Sequence, residues 1–236
     1  CRIYDGAYFR FDDHAARLQA SGHVLRIDVP SIDALRHVAW ELLERNVARE
    51  GAERLAHATL RITVTRGSGG TGAGTKAVGP VRVVATLTPL AADWRERARR
   101  GWAVTTARTR HPPPEVMPPA LKGQGRIFSL LARLEAEAAG CDDALLLSTD
   151  GHITEGATWN VFWRRGSTLR TPSEATGLLA GVTRSLVMEI AAAAGYTVEE
   201  GVWPRRELDQ ANEIFATMTS LAMVPIRSLD GRDLTE

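Results

Sequence analysis

Lysine is scarce in this chain, and one of its lysines stands where an amine could do chemistry. Of the 29 lysine and arginine residues, only Lys76 and Lys122 are lysines. Arginine stays protonated at neutral pH, so a position that needs an amine able to lose its proton keeps lysine. A deprotonated Lys122 would attack a carbonyl carbon and would also serve as a general acid/base. An ordinary surface lysine is the alternative interpretation of the residue taken alone.

A carboxylate and a glycine–threonine turn follow Lys122 along the chain. Glu155 stands in Thr154-Glu155-Gly156 beside a predicted strand, and Gly181-Val182-Thr183 opens a predicted helix. Pyridoxal phosphate needs an amine for its Schiff base and a carboxylate near its pyridine nitrogen. Its phosphate needs main-chain amides at the start of a helix. Glu155 alone could be a turn carboxylate and Thr183 a helix cap, but their order predicts a pyridoxal-phosphate site.

A glycine-rich segment, Gly67 to Lys76, looks like a phosphate-binding loop but departs from one. A P-loop needs Gly-Lys-Ser/Thr in succession and a helix directly after it. Here Thr75 separates Gly74 from Lys76, and the sequence continues into a predicted strand. We therefore favour a loop near an active site over a nucleotide site, with a plain surface loop as the remaining alternative.

Composition and charge are those of an ordinary globular chain. Hydrophobic residues make up 44% and charged residues 24% of the 236 residues, and the formal net charge is +1. No global basic field would attract nucleic acid or an anionic membrane. Cys1 and Cys141 form neither a disulfide framework nor a metal-ligand spacing, so we expect no metal. Without a membrane-length apolar run or a signal peptide, a cytoplasmic protein is expected.

Turn and periodicity signals predict an α+β chain of two domains. Cys1 to Phe11 has the pattern of a hairpin around Asp5-Gly6, and Asp12 or Asp13 is expected to cap the helix that follows. Ser31 starts a second helix, Lys122 begins a third, and Gly181 opens one through Ala194. Strands are predicted at 59–64, 81–87, 102–106, 144–147, 160–163, 197–202 and 213–217.

A proline-rich segment separates the two predicted domains. Five prolines fall within the nine residues from His111 to Pro119, and proline disrupts both helices and strand ladders. We expect a small α/β domain over 1–110, a linker over 111–119 and a larger strand-rich domain over 120–236. The chain lacks an initial methionine and stops soon after a strand and turn, which we interpret as trimming at both ends.

The chain resembles the class IV aminotransferases, the fold-type IV pyridoxal-phosphate enzymes. This family includes branched-chain aminotransferase, D-amino-acid transaminase and aminodeoxychorismate lyase. The resemblance covers nearly the whole chain, and its most specific pieces are Thr154-Glu155-Gly156, Asn160-Val-Phe and Gly181-Val182-Thr183-Arg184. Leu121-Lys122, Arg17-Leu18 and Thr65-Arg-Gly add to it. The resemblance implies a small α/β N-terminal domain and a larger pseudo-barrel C-terminal domain.

The family's residue roles transfer to matching positions. The resemblance implies that Lys122 is the Schiff-base lysine, that Glu155 pairs with the pyridine nitrogen and that Leu179 packs against the pyridine face. It assigns phosphate binding to a further set: Arg17, the amides of Val182 and Thr183, and the hydroxyls of Thr183 and Thr219. It also implies a homodimer in which a loop of the partner subunit, here Gly67 to Gly79, completes each active site.

Departures from the family patterns leave the reaction open. Branched-chain aminotransferases carry a tyrosine where this chain has Ile127, and the Arg-x-His pair of D-amino-acid transaminases is missing from the 67–79 loop. Thr65-Arg-Gly resembles the corresponding pattern of aminodeoxychorismate lyase. In the Lys-x-x-Asn-Arg pattern of that enzyme, however, this chain has Gly125 in place of the asparagine. We favour a transaminase that moves an amino group between a small amino acid, or an amine, and a 2-keto acid. The lyase, releasing pyruvate and 4-aminobenzoate, is the alternative, and a non-catalytic cofactor-binding relative is the most remote.

Three arginines are candidates for binding the carboxylate of a substrate. A guanidinium pairs with a carboxylate through two parallel hydrogen bonds. Arg108, Arg110 and Arg126 lie near Lys122 in sequence and could supply one.

Overall fold

A computed structural model of the chain describes residues 1–69 and 79–234. Its contacts divide the chain into two compact units, Cys1–Ala91 and Ala92–Glu236. Most of the predicted loop from Gly67 to Gly79 therefore lies outside the described residues. No helix within the described ranges is long and apolar enough to cross a membrane. The cytoplasmic location remains a prediction.

The first unit is an antiparallel sheet covered by helices. Its elements are β1 (Arg2–Tyr4), β2 (Ala7–Phe9), α1 (Phe11–Leu25), α2 (Ile32–Glu50), α3 (Ala52–Leu55), β3 (His57–Thr65) and β4 (Arg82–Pro89). The strand order is β2-β1-β3-β4, and each neighbouring pair is antiparallel. The predicted hairpin is confirmed, with Asp5 and Gly6 both at positive φ in its turn.

The starts of α1 and α2 differ from each other in how they are capped. Ser31 caps α2 as predicted, its hydroxyl accepting a hydrogen bond from the Ala34 amide at 3.2 Å. The prediction that Asp12 or Asp13 caps α1 is wrong, because the capping position is Arg10, in the left-handed region at φ 53°. Both aspartates lie in the first turn instead, where a carboxylate faces the positive end of the helix dipole.

The second unit is dominated by strands. Its elements are α4 (Trp94–Arg100), β5 (Trp102–Arg110), α5 (Ile127–Ala138), β6 (Asp143–Leu147), β7 (Ile153–Gly156), β8 (Asn160–Arg165), β9 (Thr168–Pro172), α6 (Val182–Ala193), β10 (Thr197–Gly201), β11 (Glu213–Met218), β12 (Ala222–Leu229) and β13 (Arg232–Asp233). Six of these strands form a closed ring in the order β8-β11-β12-β5-β6-β7. The ring closes where Glu155 of β7 pairs with Asn160 of β8.

The interior of this ring is filled by large apolar side chains. Val104, Leu145, Trp163, Ile214 and Val224 belong to one buried cluster contributed by five different strands. The ring is therefore a packed core, and a site can form only at its rim or in the loops around it.

The observed boundary between units differs from the predicted one. Strand β5, which sequence reasoning assigns to the first domain, pairs in parallel with both β12 and β6 of the ring. The contact boundary falls at Ala91, and the proline-rich segment begins inside the second unit. His111, its first residue, is buried and donates its amide to Leu147 O at 2.9 Å.

Helix α5 begins at Ile127, so the prediction that a helix starts at Lys122 is wrong. Gly123 and Gly125 follow the lysine, and glycine disfavours a helix because it loses the most backbone entropy on folding. Lys122 consequently lies in a loop before the helix. The helix from Gly181 is confirmed as α6, whereas α4, β7 and β9 carried no clear sequence signal.

Candidate active site

A cavity lies at the point where the strand ring closes. Its volume is about 270 Å³, near the lower end of ligand-binding pockets at roughly 300 Å³. Four residues singled out from the sequence line it: Lys122, Arg126, Glu155 and Leu179. The remaining lining residues are Ser129, Leu130, Arg133, Ala157, Thr158, Trp159 and Asn160. The cavity thus combines an amine, a carboxylate and two guanidinium groups with an apolar wall.

Glu155 is the most enclosed charged group of the cavity, with only 3% of its surface exposed. Oxygen Oε1 accepts from His111 Nε2 at 3.2 Å and from the Arg126 guanidinium. Oxygen Oε2 accepts from the Leu179 amide at 3.0 Å and from Asn160 Nδ2 at 3.3 Å. Four donors therefore converge on one carboxylate.

These donors keep Glu155 ionised despite its burial. Burial raises the pKa of the carboxyl group, but the hydrogen bond from His111, the charges of Arg126 and His111, and the Leu179 amide lower it further than burial raises it. The net shift of the pKa is downward. A fixed negative charge therefore stands at the inner end of the cavity.

The tight connection between β7 and β8 depends on glycine. A Cβ atom on Gly156 would lie 1.9 Å from the Trp159 ring, so this position has no room for a side chain. The Gly156 amide donates to Trp159 O at 2.7 Å and closes the turn. This turn brings Glu155 and Asn160 into register.

Asn160 joins the strand ring to the segment that leads into α6. Its Nδ2 donates to Leu179 O at 2.9 Å in addition to its contact with Glu155. Gly181 approaches the same side chain so closely that a Cβ atom would lie 2.1 Å from Asn160 Oδ1. The start of α6 is thereby held against the inner end of the cavity.

The N-terminus of α6 is built to receive an anion. Gly181 is its capping residue and provides no side-chain hydrogen bond, while Val182 and Thr183 form the first turn. The first amides of a helix have no acceptor within it and lie at the positive end of its dipole. Thr219 lies half-buried in the turn between β11 and β12. The neighbouring Thr217 Oγ1 is buried without a hydrogen-bond partner among the described residues.

Arg108 and Arg110 lie outside this cavity. Arg17 belongs to the first unit, where its guanidinium is 3.4 Å from His14 Nδ1. Arg108 lines a different cavity of about 530 Å³, which it shares with Thr109 and Glu135. Arg110 is exposed at the end of β5 and lines neither cavity. Of the three arginines considered for the substrate, Arg126 alone lines the cavity that contains Lys122.

Sequence reasoning missed two partners of Glu155. Asn160 belongs to the Asn160-Val-Phe motif of the family resemblance, which assigns it no role. His111 begins the predicted linker. The residue before a proline favours an extended backbone. The position of His111 between a strand and Pro112 was therefore the one sequence signal that could have indicated a fixed side chain.

The enclosed carboxylate and the N-terminus of α6 are compatible with a site for an anionic cofactor that carries a protonated nitrogen. The chain belongs to the class IV aminotransferase family, because the family pattern described as Amino-transferase class IV matches residues 1–229. The enzymes of this family depend on pyridoxal phosphate. The expected family, the α+β fold, the enzymatic nature and the cofactor are thus confirmed.

Individual relatives agree with this assignment. The branched-chain-amino-acid aminotransferase of Pseudomonas aeruginosa is 31% identical over 99% of this chain and 75% of its own length. The D-alanine aminotransferase of Bacillus licheniformis is 29% identical over 99% of this chain and 78% of its own. The crystal structure of the branched-chain amino acid aminotransferase of Escherichia coli matches with a TM-score of 0.90 and 29% identity, covering 100% of this chain and 77% of the other.

The residues present fit the family's cofactor. Glu155 offers a buried carboxylate to a protonated pyridine nitrogen, and Lys122 offers an amine in the same cavity. The Thr217 hydroxyl, which has no hydrogen-bond partner among the described residues, and the first-turn amides of α6 would offer hydrogen-bond donors to a phosphate.

Proposed function

We propose that this enzyme transfers the amino group of a 2-amino acid with a small or aliphatic side chain to a 2-keto acid. The observation that supports this most is the shared cavity of Lys122 and Glu155. Leu130, Trp159 and Leu179 give this cavity an apolar wall, which suits an aliphatic side chain better than a charged one. The similarity to branched-chain and D-alanine aminotransferases agrees with that class.

Lys122 is the residue that attaches the cofactor and moves the protons. When bound, pyridoxal phosphate supplies a sink for the electrons of the substrate's α-C–H bond. Lys122 Nζ would hold the cofactor covalently. As a free amine in the same cavity, it would take the α-proton of the substrate and give a proton back, as a general acid/base.

The other site residues bind and orient the cofactor. Glu155 would accept a hydrogen bond from the protonated pyridine nitrogen, and Leu179 would pack against the pyridine face. The amides of Val182 and Thr183, together with the Thr183 and Thr219 hydroxyls, would bind the phosphate. Arg17 adds a positive charge to the phosphate, a role that rests on the family resemblance because Arg17 belongs to the other unit.

Arg126 can pair with either of two carboxylates, that of Glu155 or that of a substrate. Its guanidinium is bonded to Glu155 and its Nε donates to Ser129 Oγ at 3.3 Å. Glu155 would use the same carboxylate to bind the cofactor's protonated nitrogen. Arg126 would then be available to pair with the carboxylate of the substrate, and we assign it that role ahead of Arg108 and Arg110.

The exposed apolar side of helix α5 supports a homodimer, in which a second copy of the chain would cover it. Ile127, Leu130, Leu131 and Leu134 lie at helical spacing and remain between 45% and 63% exposed. The opposite side of α5 is buried through Phe128, Ala132 and Ala136. A helix that is apolar on both sides is normally covered on both, and the homodimer implied by the family would cover this one.

Covalent attachment at Lys122 is tested by reducing the cofactor-loaded protein with borohydride and mapping the labelled peptide by mass spectrometry. We expect the label on Lys122, and loss of both label and turnover in Lys122→Ala. The matched control is Lys76→Ala, which removes the other lysine and should leave both intact. A label on Lys76, or full turnover in Lys122→Ala, would contradict the assignment.

The reaction class is tested by adding single amino acids to the cofactor-loaded enzyme without a keto acid. We expect an aliphatic amino acid to convert the visible absorption of the bound cofactor to that of the pyridoxamine form, with the matching 2-keto acid released. L- and D-forms of leucine, valine and alanine distinguish the handedness. If none reacts, but aminodeoxychorismate yields pyruvate and 4-aminobenzoate, the enzyme is the lyase instead.

A further inference from the structure

His111 is held in one orientation by contacts on every side of its ring. The residue follows β5 directly and is 1% exposed. Its Nδ1 is 2.7 Å from Pro112 O, and its Nε2 is 3.2 Å from Glu155 Oε1. The edge of the Phe128 ring approaches at a centroid distance of 4.8 Å. A Cβ atom on Gly177 would lie 3.2 Å from Nδ1 and 2.8 Å from Pro112 O, so that glycine lets the ring and the carbonyl group meet.

The partners of the ring determine where its protons lie. A carbonyl oxygen only accepts hydrogen bonds, so Nδ1 must carry a hydrogen. In a neutral ring, Nε2 would then present a lone pair to Glu155 Oε1. A carboxylate oxygen also presents lone pairs, and the two atoms would repel each other at 3.2 Å. One proton must therefore lie between them, on His111 or on Glu155.

The other contacts of Glu155 decide between these two states. Arg126 donates to the same oxygen, and Leu179 and Asn160 donate to the other. A carboxylate accepts from all four donors, whereas a protonated acid would direct its own hydrogen toward one of them. The Arg126 charge also favours the ionised form. The arrangement that satisfies every contact is a His111 imidazolium beside a Glu155 carboxylate.

We propose that His111 is a positioning residue that keeps Glu155 ionised and correctly oriented for the pyridine nitrogen of the cofactor. This inference rests on the role of Glu155 in the proposed function. Among the described residues that contact this pair, the charged groups are His111, Glu155 and Arg126. Arg126 is partly exposed and faces the cavity, so it can leave when the cofactor binds. His111 is fully enclosed and stays.

The charge of His111 predicts a specific pH dependence. The hydrogen bond from His111 is the first of the contributions that oppose the effect of burial on the Glu155 pKa, and the charge of His111 is a further one. Without either of them, the pKa of Glu155 rises and the carboxylate is protonated at a higher pH. The affinity for pyridoxal phosphate should then be lost at a higher pH on the acid side. If His111 had only a structural role, its replacement would lower the stability of the fold but would not change the pH at which cofactor affinity is lost.

The test measures the dissociation constant of pyridoxal phosphate across the acid and neutral pH range in the full chain. Trp159 lines the cavity, so quenching of tryptophan fluorescence reports binding. His111→Leu should weaken binding about tenfold or more at neutral pH, as expected for loss of a hydrogen bond to a charged group. It should also move the acid limb to higher pH. His111→Gln keeps a donor without the charge, so it should recover much of the neutral-pH affinity, and its acid limb should lie between those of the wild type and His111→Leu.

Two further variants complete the design. His37→Gln changes an exposed histidine on α2 and should match the wild type. Glu155→Gln, measured in parallel, separates the two proposals. If it leaves cofactor binding and turnover unchanged, the role of Glu155 fails and the proposed function with it.

If Glu155→Gln impairs binding but His111→Leu stays within twofold of the wild type with an unmoved acid limb, the inference about His111 alone is overturned. Should His111→Leu fail to fold, His111→Gln decides the question. An unshifted acid limb in that variant overturns the inference.

Discussion

The environment of Glu155 shows how one side chain comes to depend on distant segments. Its four donors belong to the end of β5, the loop before α5, the first residue of β8 and the segment before α6. Burying a carboxylate without such donors would cost several kcal/mol. The residues that surround it are consequently under as much constraint as the carboxylate itself. Gly181, which touches none of the reacting groups, is an example.

Gly181→Ala is expected to damage the site by crowding. The added Cβ atom would lie 2.1 Å from Asn160 Oδ1, and Asn160 is held by Glu155 and Leu179. Overpacking of this kind costs about 1–3 kcal/mol. We expect a lower free energy of unfolding by denaturant and weaker binding of pyridoxal phosphate.

Ser167→Ala, at an exposed turn position between β8 and β9, is the control for this substitution. It should leave both quantities unchanged. Wild-type stability and cofactor affinity in Gly181→Ala would show that the start of α6 can move away from Asn160 at little cost.

At the scale of elements, Asp230 links strands β12 and β5 of the ring through hydrogen bonds. It follows β12, and its carboxylate accepts from the Thr106 hydroxyl of β5 at 2.8 Å and from Arg205 at 2.6 Å. The Thr106 amide donates to it as well. Burial raises the pKa of Asp230, but these hydrogen bonds and the Arg205 charge outweigh burial and lower it.

Asp230→Asn should therefore destabilise the second unit. The loss at neutral pH is expected to be about 1 kcal/mol, a modest value because the side chain is still about one-third exposed to solvent. The folded pKa lies below the unfolded one, so this stabilisation is fully present above the unfolded pKa. It disappears as the pH falls through the folded pKa.

Unfolding by denaturant at several pH values measures this effect. The difference between wild type and Asp230→Asn should be largest at neutral pH and shrink in acid. Asp150→Asn, at an exposed turn position, is the control and should show no such difference. A gap that persists unchanged in acid would mean that the Asp230 charge is not the cause.

Helices, strands and turns could be predicted where a few neighbouring residues determine them. They were harder to predict where distant residues do. The Asp5-Gly6 hairpin and the Ser31 cap follow from backbone geometry within a few residues. Strand β7 has only four residues, Ile153–Gly156, and is buried throughout, so neither alternation nor length indicated it. The run after Lys122 is apolar at helical spacing, but its glycines delay α5 to Ile127.

At the scale of the whole molecule, the exposed side of α5 predicts self-association. Leu131→Glu with Leu134→Glu would place two charges in the proposed contact between copies. Burying unpaired charges is costly, so light scattering during size-exclusion chromatography should show a shift from dimer to monomer. Ile190→Glu replaces an exposed apolar residue of α6 and should leave the dimer intact. An unchanged dimer in the double variant would place the interface elsewhere.

The sequence by itself determined the family, the cofactor and the residue types of the site. Lys122, Glu155 and the Gly181-Val182-Thr183 turn are recognisable because each chemical role demands a particular side chain or a glycine at a fixed spacing. The tertiary structure decided which candidates share a cavity, and it brought Arg126 to Glu155 while leaving Arg108 and Arg110 outside.

Only the tertiary structure could also reveal His111. Its function depends on a contact between residues 44 positions apart, and strand pairing across the ring creates that contact. Local sequence patterns describe the backbone over a few residues, whereas a hydrogen bond between two buried side chains depends on how the whole ring closes.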